Sequence, residues 1–230
     1  LGLVGLKDPV KEEVKDAIER CHQAGIEVVM ITGDHPMTAL AIARELQIAQ
    51  GEDEVLSGAQ LDALDETSLR RQIRKVRVFA RVTPSHKVRI VDAFKQSGAI
   101  VAMSGDGVND APVLARADVG IAMGALGSDA AIEAADIVLM TDEPMKIVTA
   151  LQIARKTIRI AHENIFFALG VKLLILALGA LGFASMWAAV FADVGVAVIA
   201  ILNAMRALRT GSFLPPPAAA PLPTAIRKAA

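Results

Sequence analysis

The 230-residue sequence has no tyrosine, a single tryptophan and a single cysteine. One cysteine excludes a disulfide framework and any cysteine-based zinc cluster. Cys21 stands at helical spacing with Val14, Ile18 and Ile26 and reads as a small buried apolar residue. His22, His35, His86 and His162 show no metal-binding spacing. A net charge of −1 without a uniform basic face excludes a nucleic-acid partner. With charged residues at 21% and hydrophobic residues at 53%, long disorder is excluded for most of the chain. No signal-peptide pattern is read at the start, and the opening Leu1 leads us to expect a piece of something longer.

Mean hydropathy is +0.47, high for a chain with so few aromatics, so the apolar excess must be local. It lies at 165–205, where 41 residues carry only Lys172 and Asp193 as charges. At about 1.5 Å per residue this is roughly 60 Å of helix, or two bilayer crossings. Gly182-Phe183-Ala184-Ser185 is the natural turn. Arg155, Lys156 and Arg159 precede the hairpin, and Arg206 and Arg209 follow it. The positive-inside rule makes both of those ends cytoplasmic. Residues 206–230 form a basic, proline-rich tail, expected to be disordered from Ser212 onward.

Residues 1–143 alternate short β-rich runs with helical patterns. Strands are expected at 1–6, 26–31, 77–80, 99–104, 119–123 and 137–140. Helices are expected at 10–24, 36–47, 85–96, 110–117 and 128–134. The polar region 51–75 reads as an excursion with one helix, and 144–164 as a linking helix toward the membrane. Such alternation predicts an α/β fold with a doubly wound parallel sheet.

Ligands of such sheets bind beyond the carboxyl ends of the strands. Two loops stand there: Thr32-Gly33-Asp34, and Gly105-Asp106-Gly107-Val108-Asn109-Asp110. Asp106 and Asp110 repel one another, and a hard divalent cation relieves the repulsion. Magnesium suits that role beside a phosphate. Thr32 offers a hydroxyl, Gly33 a backbone N–H, Lys87 a point charge and Asn109 an amide. A dinucleotide-binding loop is the obvious competitor, but Asp110 stands where the last glycine of G-x-G-x-x-G belongs.

Three stretches carry a resemblance. They are Met30-Ile31-Thr32-Gly33-Asp34, the run from Val78-Phe79-Ala80-Arg81-Val82-Thr83-Pro84 to Lys87, and Ser104-Gly105-Asp106-Gly107-Val108-Asn109-Asp110-Ala111-Pro112. From residue 1 to about 209 the chain resembles the rear part of a P-type ATPase, a cation pump phosphorylated on aspartate. The resemblance implies a haloacid-dehalogenase-like phosphorylation domain that works with Mg2+ and ATP. It implies that Asp106 holds magnesium with Asp110 in support, and that Thr32, Gly33, Lys87 and Asn109 contact the phosphoryl group. The family's nucleophile lies in Asp-Lys-Thr-Gly-Thr, which this sequence lacks; Asp8 in Leu6-Lys7-Asp8-Pro9 is not that motif. This chain alone is therefore expected to be inactive, with the missing N-terminal portion of the pump as its partner.

The membrane half is similar to the heavy-metal pumps for zinc, cadmium and lead. The matching residues are Phe167 to Lys172, Met186 to Gly195 and Leu202 to Arg206. The resemblance makes Asp193 a ligand of the transported divalent ion and Lys172 its counter-charge. Residues 1–110 are closer to calcium, sodium/potassium and proton pumps. Expectation therefore favours a heavy-metal efflux pump of the cell inner or plasma membrane, with its soluble domain and tail cytoplasmic. The alternatives are a calcium- or proton-type pump, or a non-catalytic membrane-tethered module that binds magnesium and phosphate. A soluble phosphatase would need its own nucleophilic aspartate and has no use for two charges in a membrane.

Overall fold

The computed structural model describes residues 10, 12–124 and 128–208. The expected strand at 1–6, Asp8 and the tail beyond 208 lie outside the described residues. The chain divides into two compact units, 1–148 and 149–230.

In the first unit every strand pairing among the described residues is parallel, as a doubly wound fold requires. The described residues form two sheets of three strands. One has the order β1-β3-β2, from Met30–Ile31 (β1), Val55–Ser57 (β2) and Val78–Ala80 (β3). The other has the order β4-β5-β6, from Ala102–Gly105 (β4), Val119–Met123 (β5) and Ile137–Leu139 (β6). β3 is central in the first sheet and buried at all three positions. Such a strand must be apolar on both faces, and Val-Phe-Ala is.

Helices α1 (Glu12–Gln23), α2 (Pro36–Glu45), α3 (Gly58–Ala63), α4 (Glu66–Gln72) and α5 (Pro84–Gln96) accompany the first sheet. Helices α6 (Ala111–Leu114) and α7 (Asp129–Ala134) accompany the second. After α1 the chain reverses at Gly25, whose φ of +78° suits a residue without Cβ. α5 starts on Thr83, whose hydroxyl accepts from the His86 N–H while the His86 ring accepts from the Thr83 N–H.

Region 51–75 holds more than the single expected helix. It contains β2, α3 and α4. Ser57 and Gln60 cap α3 reciprocally, so three residues of strand pass directly into a helix. Arg89 of α5 anchors this excursion: its guanidinium donates to the Leu61 and Leu64 carbonyls, each at 2.6 Å, and to Glu66 at 2.8 Å. Beneath lies an apolar cluster of Leu61, Leu69, Ile73, Phe79 and Ile90. Each such buried side chain contributes about 1.5–3 kcal/mol. Phe79 meets Phe94 edge-on, with ring centroids 6.3 Å apart.

Helix α8 (Met145–Ala180) runs unbroken through the expected linker and the first span. The chain then turns at Gly182 (φ +80°), inside the expected turn. Ser185 caps α9 (Met186–Val190), a π-helical turn follows over Phe191–Gly195, and α10 (Val196–Ala204) completes the second span. The stretches Met145–Ala180 and Met186–Leu208 are long and apolar enough to cross a membrane.

Candidate functional site

The two predicted loops sit where strands end. Thr32 follows β1 directly. Its backbone N–H bonds Phe79 and its carbonyl accepts from Val82, so the loop is fixed to the chain leaving β3. Its hydroxyl donates to Asp34 Oδ2 at 3.0 Å and accepts from the Asp34 N–H at 3.1 Å. Gly33 is exposed, and a Cβ built on it would meet nothing within 4 Å, so the turn has open space beside it. Arg81 supports the turn from the other side: it adopts φ +53° and its N–H bonds the Asp34 carbonyl. A non-glycine residue in the left-handed region is costly enough to mark a constrained loop. Nothing in the residue type Arg signals it in sequence.

The second loop follows β4. Asp110 is buried, with Oδ1 2.6 Å from Lys87 Nζ and Oδ2 3.3 Å from the Gly107 N–H. Gly105 is required for that packing, because a Cβ there would lie 2.6 Å from the Asp110 Cβ. Asp106 and Asn109 are exposed, and neither side chain hydrogen-bonds another described residue. The structure thus brings Lys87, Gly107 and Asp110 together. Among the described residues no hydrogen bond joins Thr32 or Gly33 to the Asp106–Asp110 loop.

The donor set fits magnesium in a particular way. Mg2+ keeps most of its waters and takes one or two carboxylates together with phosphate oxygens. The exposed Asp106 carboxylate is available as a hard oxygen ligand. Both Asp110 oxygens already accept hydrogen bonds, so Asp110 supports the loop. Among the described residues no group of three or more His, Cys, Asp or Glu side chains could hold a metal ion without further ligands.

Around this pair, further ionic contacts hold the strand ends. Asp118 accepts from the Val101 N–H at 2.9 Å and meets Lys95 at 3.1 Å, and these two partners hold its carboxyl below the usual range. Arg116 pairs with Asp92 at 2.6 Å, which raises its guanidinium further above neutrality. Cys21 is half-buried, and burial pushes its thiol up.

The second unit holds a separate constellation. Lys172 Nζ of α8 lies 3.2 Å from Asp193 Oδ1 in the π-helical turn. Antiparallel helices on either side of the turn put these two residues at comparable depths. They share a cleft of about 680 Å³ lined largely by small residues, among them Gly179, Ala184, Ala189 and Ala192. The π-helical turn was not foreseen. Gly195 makes it possible, since a Cβ there would sit 2.5 Å from the Phe191 ring. Such bulges occur often at functional sites.

Comparison with known proteins shows the family. A family model of haloacid dehalogenase-like hydrolases matches residues 1–118. The chain belongs to this family. It is a P-type ATPase homologue, a portion of the full enzyme. It is 52% identical over 169 residues to "Calcium-transporting ATPase 1" of Bacillus cereus, a match covering 74% of this chain and 19% of that protein. It is 45% identical over 212 residues to the "Cadmium, zinc and cobalt-transporting ATPase" of Bacillus subtilis, covering 90% of this chain and 26% of that protein. It also resembles the crystal structure of a zinc-transporting PIB-type ATPase, with TM-score 0.69 and 34% identity, over 88% of this chain and 29% of that one. The homologue therefore spans about a quarter of the length of its relatives, which divide between heavy-metal and calcium pumps.

Proposed function

We propose that the chain is the C-terminal part of an ATP-driven efflux pump for a divalent heavy-metal ion such as zinc, cadmium or lead, working through an aspartyl-phosphate. The nucleophilic aspartate belongs to a segment outside this sequence. The observation that carries the ion assignment is the Lys172–Asp193 pair, 3.2 Å apart across two apolar helices. An ionised pair inside a membrane is costly and is expected to serve an ion path. Asp193 supplies an anionic oxygen ligand to the departing cation, and Lys172 neutralises Asp193 once the cation has gone. Carboxylate together with softer ligands from elsewhere suits a zinc-like ion.

In the α/β unit, Thr32 and Gly33 offer a hydroxyl and an N–H to a phosphoryl group. Lys87 brings positive charge to the loop after β4, and Asp110 fixes the direction of its ammonium. Asn109 adds an amide donor, and Asp106 would hold Mg2+. When bound, that ion neutralises charge on the phosphate oxygens. Phosphoryl transfer needs mainly such positioning and neutralisation.

A calcium-type pump is the second reading, favoured by the 52% identity with a calcium-transporting relative. Against it, the match to the cadmium, zinc and cobalt transporter leaves only a tenth of the chain uncovered, fewer residues than the 41 from Ile165 to Met205. That match must therefore reach into the spans, where the ion binds. Co-expressing the chain with the missing front half of a zinc pump tests the proposal. Restored zinc efflux that Asp193→Ala abolishes supports it; efflux indifferent to Asp193→Ala, or no efflux with any front half, refutes it.

A further inference from the structure

His86 belongs to neither site, yet both nitrogens of its ring are engaged. It stands one residue before Lys87 in α5, and its imidazole is only 12% exposed. Nδ1 accepts from the Thr83 N–H at 3.2 Å, and Nε2 lies 2.8 Å from Asp62 Oδ1 of α3. These partners fix the tautomer. A backbone N–H only donates, so Nδ1 carries no proton. The ring hydrogen sits on Nε2, where the Asp62 carboxylate accepts it. Gly58, the first residue of α3, brings in a third segment. A Cβ there would lie 3.0 Å from the His86 ring and would collide with the Arg81 carbonyl oxygen. The ring and the Arg81 turn therefore both pack on Gly58.

Two of these segments lead to the proposed phosphoryl contacts. α5 carries Lys87 at the next position. The Arg81 N–H bonds the Asp34 carbonyl, and Asp34 in turn is bonded to the Thr32 hydroxyl. A helix cap alone needs only the Thr83 contact. The contact with Asp62 reaches 24 residues back, to a helix that carries none of those phosphoryl groups' partners. We infer that His86 is a positioning residue. Held by Asp62, it fixes the start of α5, and with it Lys87, against the Arg81 turn that holds the Thr32–Asp34 loop. The inference rests on the reading of Lys87 as a phosphoryl contact, and the experiment separates the two.

Three substitutions divide the roles of the ring. In His86→Gln the side-chain carbonyl can accept from the Thr83 N–H while the amide donates to Asp62. His86→Glu can only cap, and His86→Leu can only pack. The chain is complemented with the upstream segment of a P-type pump. Inhibition of its ATP hydrolysis by orthovanadate, a phosphoryl mimic, is then titrated. The inhibition constant reads the site and not the amount of folded protein. It should rise about tenfold in His86→Leu, His86→Glu and Asp62→Ala, the equivalent of one hydrogen bond to a charged group. His86→Gln should keep the parent value. If His86→Glu matches His86→Gln, the residue is only a helix cap. If His86→Leu matches it, the residue only packs. Either result overturns the inference, and so does His86→Gln failing as badly as His86→Leu. Lys87→Met reports the premise. An unchanged constant there refutes the phosphoryl reading and the inference together. A raised constant there, with none in His86→Leu, refutes only the inference. In the chain by itself, nitrogen NMR in mildly alkaline buffer should find the His86 proton on Nε2. A proton on Nδ1 overturns the inference whatever the front half does.

Discussion

Lys87 Nζ lies 2.6 Å from Asp110 Oδ1, and this one contact ties the helix after the first sheet to the loop after the second. Neither side chain is more than a quarter exposed, at 24% and 11%. The pair is therefore shielded, and the loss of one partner leaves the other poorly solvated. Under the proposed function the same contact would also orient the Lys87 ammonium toward a bound phosphoryl group.

Lys87→Met should destabilise the α/β unit by about 1–3 kcal/mol, the usual worth of a shielded charged hydrogen bond. Asp110→Asn should cost a comparable amount, and the double variant less than the sum of the two. Hydrogen exchange of peptides covering 102–123 in the detergent-solubilised chain measures this. Additive single effects would mean that the pair is not coupled.

Gly105→Ala places a methyl group 2.6 Å from the Asp110 Cβ. Overpacking of this kind costs about 1–3 kcal/mol. The same exchange measurement should show faster opening of β4, whereas Gly33→Ala, which meets open space, should leave β4 protected as in the parent. Equal effects at the two glycines would contradict the packing argument.

Acid should loosen the strand ends. The Val101 N–H and Lys95 hold the Asp118 carboxyl below its ordinary pKa. The folded chain therefore binds fewer protons there than the unfolded chain does. The stabilisation is complete above the unfolded carboxyl value of about 3.9 and fades as pH falls through the lower folded value. It is small, because solvent screens an exposed pair. Urea midpoints taken between pH 5 and pH 3 should fall more steeply for the parent than for Asp118→Asn. Parallel slopes would remove Asp118 from the account.

Much of this was legible in the sequence, and the misses have physical causes. The two candidate spans are visible because 41 residues with two charges offer almost no polar face. β5 is found where its apolar run lies, at Val119–Met123. The run at 26–31 yields only a two-residue strand, because ladder bonds begin at the Met30 N–H with the Arg77 carbonyl. Region 51–75 concealed β2, since three residues of strand carry too little periodicity to register against polar neighbours. The π-helical turn at Phe191–Gly195 has no periodic signature of its own, and Gly195 was its only trace. The left-handed Arg81 and the Asp62–His86 pair depend on contacts between distant segments. Asp106 and Asp110 are the same residue type four positions apart, and only the fold shows that the first is exposed and the second buried.

The central claim is that Asp193, paired with Lys172, selects a zinc-like ion. The direct measurement is ion-stimulated ATP hydrolysis by this chain complemented with the upstream segment of a zinc pump in vesicles, titrated separately with Zn2+ and Ca2+. The account predicts stimulation by Zn2+ and none by Ca2+, with the Zn2+ response abolished in Asp193→Ala. Stimulation by Ca2+, or a Zn2+ response that survives Asp193→Ala, would contradict it.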